Sequence, residues 1–158
     1  MMKKTLTRIT LGLLALSAAS VVSAQSAEDM IKFRQSGYTF MSWNMGTIKA
    51  HAVDGSVEFN AAQVQAAANS LAAIANSGMG ALYAPGTDQG TGWKPTRLKS
   101  SFFEEQQKVG EIAVNFVQQA NKLQEVAATG DKAAIAAQFG EVGKACKACH
   151  DNYRISEK

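Results

Sequence analysis

Cysteine, histidine and proline are scarce: each occurs only twice in 158 residues. Two cysteines exclude a disulfide-dense scaffold. With only His51 to add to Cys146, Cys149 and His150, the chain cannot assemble a structural zinc site of about four ligands. Long apolar runs are also missing. The apolar stretch Ile9 to Leu16 is too short to span a bilayer, and no later segment approaches ~18 uninterrupted apolar residues, so no membrane insertion is expected. An excess of positive charge exists only on paper. The formal +3 disappears once Lys3, Lys4 and Arg8 are removed, leaving thirteen basic against thirteen acidic side chains. A nucleic-acid role then has no electrostatic basis.

Those three cations belong to residues 1–24, which read as a signal peptide: a basic start, a short apolar stretch, and the small residues of Val22-Ser23-Ala24 at the cleavage point. The mature protein is expected to span 25–158 and to be exported. Export ordinarily makes a cysteine pair read as a disulfide.

Strand-like alternation is nearly absent from the mature chain, and four amphipathic segments take its place. In the first, about Ala27 to His51, the stripe Met30, Arg34, Gly37, Tyr38, Met41, Met45, Ile48 steps by three and four, as one helix face does. The second opens with Asn60 as N-cap and runs through Val64, Ala68, Leu71 and Ile74 to Gly78. From Gly78 to Ser100 both prolines and five of the thirteen glycines fall together, which predicts a long irregular connection. A third helix is expected from Ser101, where Ser101-Phe102-Phe103-Glu104 has the form of a capping box, to a stop at Gly130. Asp131 caps the fourth, whose seam is Ile135, Phe139, Val142, Cys146, Cys149 and Tyr153. Four helices with two short connections and one long one predict an all-α, antiparallel up-down-up-down four-helix bundle.

The chemistry lies on the fourth seam. At about 100° per residue, Cys149 sits about 60° to one side of Cys146 and His150 about 40° to the other, so two thiols and an imidazole share one face. Cys146-Lys147-Ala148-Cys149-His150 is the attachment signature of a c-type haem: two thioethers fix the macrocycle against the helix and the histidine meets the iron. A plain disulfide stays open as the alternative. A thioredoxin-type dithiol normally follows a strand at a helix start, whereas this motif lies at a helix end. No second catalytic constellation surrounds the motif, so the chain reads as a binding protein and not an enzyme.

Phe139 to Arg154, read as FGEVGKACKACHDNYR, together with Ile31-Lys32-Phe33-Arg34-Gln35-Ser36, resembles cytochrome c′, and the likeness extends over the mature chain. The resemblance implies a periplasmic four-helix bundle, usually a homodimer, with one covalent haem c per chain in the bundle core. It implies five-coordinate, high-spin iron held by His150, and so a protein that binds diatomic gases such as nitric oxide or carbon monoxide and is capable of electron transfer. At the position four residues after Arg34 the family carries a bulky non-ligating residue and its low-spin relatives a methionine; here it is Tyr38. Tyr38 is therefore expected in the distal pocket, although plain core packing would also account for it. Met41, ~4.5 Å further along the same face, is the rival: as sixth ligand it would make the protein a low-spin six-coordinate electron carrier. The resemblance also places Arg154 in the proximal pocket. Arg34 interrupts an apolar stripe, which a haem propionate would explain; Gln35 and Thr91 are further candidates for the propionate side. Outward-facing Phe33, Phe40 and Trp43 are candidates for a homodimer contact through helices one and two, packing within one subunit being the alternative.

Overall fold

The structure, a computed structural model, describes residues 25–156; the expected signal peptide lies outside them. Helix α1 (Ala27–Ile48) starts where Ser26 accepts a hydrogen bond from the Asp29 amide at 3.1 Å, with Glu28 and Asp29 complementing the positive end of the helix. It continues into a π-helical turn, Lys49–Val53. His51 fastens that turn to the chain entering the second helix, its ring lying 2.6 Å from the Glu58 carbonyl and 3.0 Å from Gln63 Oε1. Asn60 caps α2 (Ala61–Ala75) by accepting from the Gln63 amide. A one-turn helix α3 (Ser101–Glu104) precedes α4 (Gln106–Ala127), and α5 (Lys132–Tyr153) starts from Asp131, whose Oδ1 accepts from Ala133 and Ala134 at 2.9 and 3.1 Å.

The four long helices form the expected antiparallel bundle. Helix α2 packs on α1 and α4, and its buried alanines, Ala67, Ala68 and Ala72, leave both neighbours room to approach. Helix α4 packs along α5. The core joins Met41, Ile48, Val64, Leu71, Leu123, Ile135 and Val142. Helix α5 meets the first helix chiefly through the π turn. At the other end of the bundle, where Tyr38 and the two cysteines lie, irregular chain surrounds the gap between α1 and α5.

That irregular chain, 76–100, is strapped down at several points. Gly92 crosses α1 so closely that a Cβ there would stand 2.6 Å from the Lys32 backbone nitrogen. Residues 97–99 run beside the chain end, with hydrogen bonds from the Lys99 amide to the Tyr153 carbonyl (2.9 Å) and from the Ile155 amide to the Arg97 carbonyl (2.8 Å).

The third helix departs from expectation at its start. The capping box at Ser101 does not form: Ser101 lies inside α3, Ser100 gives its hydroxyl to Asp88 at 2.6 Å, and the helix breaks at Glu105. Tyr153 occupies the Glu105 carboxylate, donating to it at 2.9 Å, and Gln106 Nε2 bonds the Phe102 carbonyl across the break.

Candidate functional site

Helix α5 carries the motif because its first half is anchored and its last turns are not fully covered. Ile135 and Val142 are buried, whereas Cys146 and Cys149 are partly open and His150 is exposed. No disulfide joins Cys146 to Cys149, and burial raises the pKa of each thiol. Among the described residues no cluster of three or more His, Cys, Asp and Glu forms a metal cage. This donor set suits a group that brings its own metal and accepts two thioethers.

Within the described residues the His150 ring makes no hydrogen bond. Its pKa is lowered by burial first and then by the positive charge of Arg97, against an opposing pull from Asp151. A lowered value keeps the imidazole neutral, the form that ligates iron. Arg154 lies in the same neighbourhood: its amide bonds the His150 carbonyl at 3.1 Å, and with Arg97, Asp151, Ile155 and Ser156 it lines a shallow depression beside the imidazole.

Across the gap stands Tyr38. Forty per cent of its surface is accessible, yet burial is the main cause of a raised hydroxyl pKa, and both cysteines are close enough to add to it. Tyr38 thus lies within electrostatic reach of both Cys146 and Cys149, and Tyr83 within reach of Cys149. Met41 differs in its burial. It is 5% accessible and packs in the core cluster with Ile48 and Leu71.

The residues expected on the propionate side have other partners here. Arg34 is 5% accessible and donates to the carbonyls of Leu82 (3.1 Å) and Thr87 (2.8 Å) and to the hydroxyls of Thr87 and Thr96 (both 3.1 Å). Four neutral oxygens of the connection thus surround the guanidinium inside the apolar stripe. Gln35 clamps the next turn, accepting from the amides of Trp93 (2.8 Å) and Lys94 (3.2 Å) and donating to the Lys94 carbonyl (2.8 Å). Thr91 is exposed in that turn, its backbone bridged to Pro95.

Two site residues escape sequence reasoning: Arg97 beside His150, and Tyr83, whose hydroxyl donates to Tyr38 Oη at 2.8 Å. Tyr83 also stacks on Phe102, centroids 4.6 Å apart, beneath the Arg34 guanidinium at 4.4 Å. Both lie in the aperiodic stretch 76–100, where no pattern singles them out.

The outward face of α1 carries Phe33, Phe40 and Trp43, all exposed, with Phe40 and Trp43 stacked at 5.6 Å. No helix among the described residues is long and apolar enough to cross a membrane.

Comparison with known proteins agrees over nearly the whole described chain. The family described as Cytochrome C' matches residues 29–154. Cytochrome c′ of Allochromatium vinosum is 55% identical over 155 residues, 97% of this chain and 99% of that protein. A solved cytochrome c′ described as having an unusual ligand-controlled dimer dissociation superposes with a TM-score of 0.80 at 56% identity, covering 85% of this chain and all of that one. Variants of cytochrome c′ from Alcaligenes xylosoxidans, both 30% identical, have been solved with carbon monoxide bound (TM-score 0.73, covering 83% of this chain and 98% of that one) and with nitric oxide bound (0.74, 85% and 99%).

Proposed function

The chain belongs to the cytochrome c′ family, and from that premise we propose that it is a periplasmic haem protein that binds nitric oxide or carbon monoxide at an open iron position. The family's haem c is attached covalently, and Cys146 and Cys149 are the only cysteines available to hold it. When bound, the group would supply an iron that takes a diatomic ligand and exchanges one electron. His150 would hold the iron, with Arg154 and Arg97 beside the imidazole. Tyr38 would cover the ligand's approach to the iron, and Arg34, Gln35 and Thr91 would border the site on the propionate side, through the connection that Arg34 and Gln35 fasten to α1. Residues 1–24 direct export and are removed.

The observation that carries this reading is the contrast between Tyr38, accessible and near both cysteines, and Met41, packed in the core. Tyrosine ligates iron when ionised, and a raised pKa keeps Tyr38 protonated at neutral pH. It is a lid rather than a ligand. A low-spin carrier would have to pull the Met41 side chain out of the core, so electron transfer is the accompanying property and ligand binding the main one. The exposed Phe33, Phe40 and Trp43 give two copies a self-complementary contact through α1 and α2.

Carbon monoxide titration of the reduced protein, followed by absorbance, tests the reading. Saturable binding at one ligand per chain is expected; a spectrum unmoved by carbon monoxide would refute it.

A further inference from the structure

We propose that Tyr83 is a positioning residue for the gas site: its hydroxyl bond to Tyr38 is a latch that holds the lid closed and lowers ligand affinity. The inference rests on the reading of Tyr38 as the lid over an open iron position. Its ground is the geometry of the pair. Tyr83 donates to Tyr38 Oη at 2.8 Å across 45 residues of sequence, so the bond joins α1 to the irregular connection. The donor is fixed from both sides. Its ring stacks on Phe102 at 4.6 Å and an 18° interplanar angle, with the Arg34 guanidinium 4.4 Å from its centroid. Arg34 is held in turn by its four bonds to Leu82, Thr87 and Thr96. Phe102 also meets the buried Tyr153 of α5 edge-on at 5.7 Å. Tyr38, by contrast, is the partner with room to move: 40% of its surface is accessible, and among the described residues its ring makes no stacking contact like that of Tyr83 on Phe102.

A ligand arriving over the iron must displace the Tyr38 ring. With Tyr83 immobile, that displacement breaks the bond between the hydroxyls. The unliganded state is therefore stabilised by an interaction that the liganded state lacks, and affinity falls by the corresponding factor. A neutral hydrogen bond of ordinary strength corresponds to about two- to tenfold.

A double-mutant cycle with Tyr38→Phe and Tyr83→Phe on the haem-loaded protein tests this. Either change alone should raise carbon monoxide affinity about two- to tenfold, and the double variant should do no more than one of them. Thermal unfolding of the ligand-free proteins supplies a readout independent of binding: the same two positions should be coupled there, with the coupling lost once carbon monoxide is saturating. Additive effects, or a Tyr83→Phe affinity equal to wild type, would overturn the latch while leaving the open site standing. Failure of the wild type to bind carbon monoxide would overturn the open-site reading and the latch with it.

Discussion

Replacing Arg34 by methionine removes the point where α1, the connection and the Tyr83 ring meet. The substitution keeps an unbranched apolar side chain in the stripe but takes away four donated hydrogen bonds. Thr87, fully buried, loses partners on both its carbonyl and its hydroxyl, although Thr96 still reaches the carbonyl at 3.3 Å and the hydroxyl still donates to Ala84 at 2.8 Å. Each buried polar group left short of a partner costs about 1–3 kcal/mol. Relief of the desolvation that lowers the arginine's pKa offsets part of this. The net loss is about 3 kcal/mol, or roughly 10 °C in Tm for a domain of this size. Circular dichroism melting of the haem-loaded protein measures it. Arg34→Lys should also lose stability, because an ammonium cannot fork between Thr87 and Thr96. Limited proteolysis should cut both variants faster between residues 79 and 96. A Tm within ~2 °C of wild type for Arg34→Met, or full rescue by lysine, would refute the view that Arg34 holds the connection.

Met41→Ala should cost about 2–4 kcal/mol in urea unfolding, as expected for truncating a buried methionine, and should leave the iron spin state unchanged. Loss of low-spin bands in that variant would identify Met41 as an iron ligand. Glu105 is held below the usual 4.5 by the Tyr153 hydroxyl first and by Lys108 second, so its contribution to stability is present above that value and disappears as pH falls through the lowered one. Glu105→Gln should flatten the fall of Tm with acidification in that window; an unchanged slope would show the contact to be neutral. Trp43→Glu puts a charge on the exposed face of α1 and should shift sedimentation at micromolar concentration from dimer to monomer, whereas an unaltered dimer would place the contact elsewhere.

Much of the bundle is legible in the sequence because its determinants are local. Asn60 and Asp131 cap the helices whose starts they mark, since each needs only an amide two or three residues away. The seam from Ile135 to Tyr153 follows from helical period alone, and the two thiols and the imidazole fall on one face for the same reason. What stays illegible depends on chain far away in sequence. The oxygens that accept from Arg34 lie 48 to 62 residues downstream in a stretch without periodicity, so no local pattern points to them. The Ser101 capping box fails for a similar reason: Tyr153 draws Glu105 into a break that the local pattern does not encode. Tyr83 carries no local signal, and its role exists only once the connection is laid against α1.

Resonance Raman spectroscopy of the wild-type protein in its reduced and oxidised states at neutral pH measures the coordination of the iron directly. The account predicts five-coordinate, high-spin marker bands in both states, with His150 the sole protein ligand and Tyr38 protonated. Six-coordinate low-spin bands in the ligand-free protein would contradict it.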